Sequence, residues 1–97
     1  MNIGSVEFSH IARTLNRHTQ HLQGTSISFR APPSDPKVNR SLRKRDDGSV
    51  VIAVALKNRS REDIIADLID GICAANSHIE NSSLREILDD AGNKLLG

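Results

Sequence analysis

The chain has 97 residues, 37% of them apolar and 26% charged, with a net charge of +1 and two aromatic residues, Phe8 and Phe29. That length is one domain, residues 1–97, with a modest aliphatic core, and the absence of Trp and Tyr removes the flat side chains on which single-stranded bases stack. A lone cysteine, Cys73, excludes an intrachain disulfide framework or zinc finger, while MNIGSVEFSH lacks the pattern of a secretory leader and the apolar run Val50 to Leu56 is too short for a membrane helix.

Phe8, Ile11, Leu15, His18 and Leu22 recur at steps of three and four, which predicts a helix over residues 5–23 with one apolar face. Ser5 is placed to cap its start and Gly24 its end. His18 falls in the stripe and is expected at the edge of the core. From Thr25 to Ala31 the period changes to two, with Ile27 and Phe29 alternating with Ser26, Ser28 and Arg30, the pattern of a half-buried strand. Pro32 and Pro33 stop it, and Ala31 to Asn39 reads as an exposed loop.

A second β segment, Arg40 to Arg45, leads through Asp46-Asp47-Gly48 into a third, Ser49 to Lys57. Asp-Gly is a strong hairpin signal because both positions tolerate positive φ. The third segment sets Val50, Ile52, Val54 and Leu56 on one face and Val51, Ala53 and Ala55 on the other. A strand apolar on both sides belongs in the middle of its sheet, with Ile27–Ala31 beside it and the basic segment at the edge, where Lys and Arg discourage edge pairing.

Ser60 with Asp63 resembles a capping box opening a second helix. Ile64, Ile65, Leu68, Ile69, Ile72, Ala75 and Ile79 fall on its apolar arc, and Asp63, Asp67 and Asp70 gather on the far side. Gly71 lies inside this helix and marks a candidate close packing contact. After a turn at residues 76–81, Ser83 and Glu86 form a capping box for a third helix, with Leu84, Ile87, Leu88, Ala91 and Leu95 as its stripe and Gly92 weakening its last turn. The expected fold class is therefore α+β, in the order α-β-β-β-α-α, with a small antiparallel sheet of two or three strands packed against helices.

Charge is divided along the chain. Met1 to Asn58 carries nine Lys/Arg and four Asp/Glu, whereas Arg59 to Gly97 carries four and eight. Such a split suggests an electrostatic partner for each half, or the two halves as partners for each other. Lys37, Arg40, Arg43, Lys44 and Arg45 form the densest basic cluster, on an exposed loop or hairpin arm spanning residues 32–48. The cluster suits phosphates or an acidic protein, although Asp46 and Asp47 beside it oppose phosphate. The three aspartates of the second helix are candidate counterparts of that arm.

Little points to catalysis or a metal. His18 and His21 are spaced to chelate from one helix turn, but no third ligand is evident. Cys73, mid-helix at the border of the apolar arc, gains nothing from a helix N-terminus and reads as an inert packing residue. No P-loop, Rossmann glycine pattern or nucleophile elbow is present. Residues 50–96 follow the strand–helix–helix order of ribbon–helix–helix DNA binders, but Val51, Ala53 and Ala55 stand where that family places polar groove-reading side chains. We therefore expect a non-catalytic, cytoplasmic interaction or regulatory module without cofactor. It is expected to be homodimeric, to contact another protein or a second copy of itself, and to present Val51, Ala53, Ala55, Ile65 and Ile69 at the interface. The alternative is a nucleic-acid-binding domain using residues 37–45.

Overall fold

The structure is a computed structural model that describes residues 3–97, Asn81 by its backbone only. Six elements follow in the order α1 (Ser5–Thr19), β1 (Ile27–Arg30), β2 (Arg40–Lys44), β3 (Val50–Val54), α2 (Arg61–Ala75) and α3 (Asn81–Leu96). The α+β class and the element order are those expected, and β3 is the central strand, in the sheet order β1-β3-β2.

The hairpin forms at the Asp-Gly signal. Gly48 takes φ +88°, a conformation that favours glycine. Its N–H donates to the Arg45 carbonyl at 3.0 Å, and Asp47 Oδ1 accepts from the Ser49 N–H at 2.9 Å. β2 and β3 are accordingly antiparallel, with Leu42 opposite Ile52. β1 differs from the expected antiparallel arrangement: it runs parallel to β3, with Phe29 opposite Ile52, so the sheet is mixed. The cause is topological. Residues 31–39 carry the chain past the end of β3 to the far edge, and the hairpin then returns β3 in the direction of β1.

The helices cover one face of the sheet. α2 packs on β3 and β2, α1 on β1, and α3 on α1 and α2. Val50, Ile52 and Val54 point into this core with Phe8, Ile11, Leu15, Leu68, Ile72 and Leu88. On α1 the stripe continues through buried Thr19, whereas His18 is exposed, a correction to the expected core-edge histidine. A step of four from Leu15 keeps residue 19 near the centre of the stripe, and a step of three swings residue 18 to its margin. The Thr19 hydroxyl is satisfied locally, accepting from Gln23 Nε2 at 2.8 Å.

Local chemistry explains the other boundaries. Ser60 caps α2 as expected, its Oγ accepting from the Asp63 N–H at 3.1 Å. Gly71 is where α2 closes on the sheet, since a Cβ there would lie 2.9 Å from Ile52 Cγ2. α1 instead starts after Gly4, with no side-chain cap. α3 starts two residues before the expected box, with Glu80 at the N-cap and no side-chain cap. Gly92 does not end α3 early: the helix runs to Leu96, and a Cβ at residue 92 would meet Ile65 and Ile69 at 3.1 Å. Among the described residues no helix is long and apolar enough to cross a membrane.

Candidate functional site

The sheet's second face is left bare by the helices, and strand parity decides what it shows. Ser28, Val51 and Arg43 form one row across the three strands, and Arg30, Ala53 and Ser41 the next. Long cationic side chains from both edge strands thus flank a small apolar floor contributed by β3. Ala53 is buried and Val51 half-buried. A hollow of ≈ 370 Å³ opens over Val51 between Arg30, Arg43, Lys44 and Arg45, with Asp46 at its border. Arg45 also borders a second hollow of ≈ 370 Å³ that carries hydroxyls from Thr25, Ser26, Ser28 and Ser49.

The four cations are exposed, and among the described residues none makes an ion pair. Arg40 behaves differently. It shares with Lys44 the parity opposite to that of Arg30 and Arg43, but it turns toward the helices and pairs with Asp67 at 3.6 Å and Asp70 at 3.1 Å. Asp67 also meets Arg59, and Asp70 meets Arg85. Two of the three aspartates of α2 therefore do face the basic segment, within the chain and through a single arginine. At the hairpin, the Asp47 carboxyl titrates below its ordinary value because the Ser49 hydroxyl and N–H donate to it, with Arg45 adding attraction.

No known protein family, curated protein or solved structure matches this chain. The geometry alone therefore defines the candidate site.

Of the residues singled out in the sequence, Arg43, Lys44 and Arg45 come together around Val51. Lys37 stands apart in the loop, its N–H bonded to Asp35 Oδ1 at 2.9 Å. Ala53 lies in the floor, in register with Arg30 and Ser41, and Ala55 is half-buried just beyond β3. Ile65 and Ile69 are buried in the intrachain core, beside Gly92 of α3. The sequence reading missed Arg30. Its alternation with Phe29 put it on the outer face and the expected place of β1 beside β3 put it near the floor, but the register that sets Arg30 opposite Ala53, one row from Arg43, was not readable. Away from this face, Cys73 is half-buried, and burial raises its pKa although Arg85 pulls the other way. His18 and His21 are both exposed on one turn of chain, and among the described residues no three metal-ligating side chains gather.

Proposed function

We propose that this chain is a small, non-catalytic interaction module, homodimeric and cytoplasmic, that docks an acidic segment of another protein on the open face of its sheet. One observation carries the reading: Arg30, Arg43 and Arg45 converge over Val51, with Lys44 and Asp46 at the border of the hollow, and among the described residues none of these cations makes an ion pair. Guanidinium groups around an apolar floor match the general plan of a recognition surface, in which contact area comes from the centre and orientation from the charged rim. Arginine suits this role because its planar fork takes carboxylates two bonds at a time. A second copy docked face to face on the same surface would bring like charges together, so this face serves a different protein.

The probe is a fluorescent glutamate-rich peptide. Its anisotropy is expected to rise with protein at low salt and fall back as salt is added. The double reversal R43E/R45E is expected to abolish the rise. Absence of binding at low salt would sink the reading. Nucleic-acid binding is the second reading, favoured by the hydroxyl-lined hollow that continues from Arg45, since hydroxyls donate to phosphate oxygens. Duplex DNA and RNA serve as competitors: displacement of the peptide by either, at lower concentration than unlabelled peptide, favours this second reading.

A further inference from the structure

We propose that two copies of this chain join through β1, antiparallel about a two-fold axis at Ser28, so that two three-stranded sheets become one of six strands. The proposal rests on the homodimer in the reading above but is independent of what the basic face binds.

The first observation is an open row of backbone groups. β1 is an edge strand whose only neighbour among the described residues is β3. The Ser26 carbonyl accepts from the Val50 N–H at 2.9 Å, and backbone direction alternates along a strand. Ser26, Ser28 and Arg30 therefore aim their N–H and C=O groups at β3, while Ile27 and Phe29 aim theirs away from the sheet. No described residue takes up those outward groups. An added strand satisfies them, the general mode of β-augmentation.

The second observation is that the two sheet edges differ in how they tolerate self-pairing. On β2 the bonds Arg45 N–H to Ser49 and Ala55 N–H to Asn39 put the odd residues against β3, so Arg40, Leu42 and Lys44 face outward. A two-fold pairing centred on Leu42 would set Arg40 opposite Lys44 of the second copy, like charges directly across a ladder, which is unfavourable. On β1 the pairing centred on Ser28 sets Ile27 opposite Phe29 of the second copy, twice, and Arg30 opposite Ser26. Both apolar pairs lie on the helix side, where Ile27 and Phe29 are only half-buried in the single chain. β1 is thus complementary to itself, and β2 is not.

The third observation is room at that edge. A hollow of ≈ 260 Å³ lies between α1 and β1, lined by Ser9, Ala12, Arg13 and Phe29. It can receive the apolar side chain that the second copy's strand presents. In the joined sheet both basic hollows fall on the same bare face, which doubles the surface offered to an extended acidic ligand.

Three measurements test this. Sedimentation of the unaltered protein is expected to give the mass of two chains. In hydrogen exchange, the Ile27 and Phe29 amides are expected to slow as concentration rises, while the Ser28 amide, bonded to β3, is slow throughout. In a C73A background, S28C is expected to cross-link two chains under mild oxidation, because residues facing each other on the axis form a non-hydrogen-bonded pair with Cα atoms about 4.5 Å apart, within disulfide reach. R43C in the same background is expected to cross-link far more slowly. A single-chain mass at the highest soluble concentration, Ile27 and Phe29 exchange that ignores concentration, or equal cross-linking of S28C and R43C would each overturn the interface. A monomer that still binds the acidic peptide sinks this interface alone, and a dimer that ignores the peptide sinks only the ligand reading.

Discussion

Gly71 shows how one hydrogen atom sets the distance between α2 and the sheet. Alanine there would gain about 1 kcal/mol of helix propensity over glycine. Its methyl group, however, would sit 2.9 Å from Ile52 Cγ2, in a core where Ile52 is fully buried. Overpacking of this kind costs about 1–3 kcal/mol, so Gly71→Ala is expected to lower the urea midpoint rather than raise it. Cys73 gives a pH-dependent counterpart. Burial raises its pKa in the folded chain, so the folded state holds the thiol proton more tightly than the unfolded one. That contribution to stability is fully present below the unfolded thiol's pKa, about 8.5, and is lost as pH rises through the folded value. Cys73→Ala is expected to flatten the alkaline fall of a stability–pH curve, and the native thiol is expected to label more slowly at neutral pH than the same thiol in urea.

At the scale of elements, two serines that look alike in sequence do different things. Ser60 caps α2, and Ser60→Ala is expected to cost about 1 kcal/mol. Ser83 lies inside α3, past its N-cap at Glu80, so Ser83→Ala is expected to leave the denaturation midpoint nearly unchanged. The ion cluster linking β2, α2 and α3 ranks its members by burial. Asp67→Ala takes the carboxylate partner from Arg59, whose side chain is only 14% exposed, and leaves it the Ala55 carbonyl; losing one partner of a mostly buried polar group costs about 1–3 kcal/mol. Arg40 is 37% exposed, and Arg40→Ala is expected to cost less than about 1 kcal/mol. The acidic face of α2 was legible from helical periodicity, and the basic segment was a plausible counterpart. Which arginine would answer was not legible, because parity in RSLRKR rests on one apolar residue, Leu42, and that residue is itself 42% exposed. ISFR, by contrast, declares its parity through Ile27 and Phe29.

Over the whole molecule, the class, the element order and the central place of β3 could be read from hydrophobic period and turn chemistry. The direction of β1 could not. Antiparallel pairs are the commoner kind, but here the loop over residues 31–39 crosses the end of β3, and the hairpin then returns β3 parallel to β1. Arg30 reaches the candidate site because β1 lies directly beside β3, in a register that sets it opposite Ala53. The division of charge along the chain is resolved in two ways: Arg40 neutralises part of the acidic half from within, and Arg30, Arg43 and Arg45 stay unpaired around the hollow over Val51. R43E/R45E is therefore expected to unfold at nearly the same urea concentration as the native chain while losing the acidic peptide, whereas Arg40→Ala loses some stability and keeps the peptide.

Because β3 lies between β1 and β2, the first strand to be synthesised is finished before its mate exists. On the ribosome, α1 and β1 emerge with no sheet to join. The β2–β3 hairpin closes locally and within microseconds once Gly48 and the residues after it are free, and only then does a place for β1 appear. Until that moment ISFR is bare along both edges, so a nascent chain paused before Val50 is the stage at which neighbouring copies on one messenger are most prone to mispair.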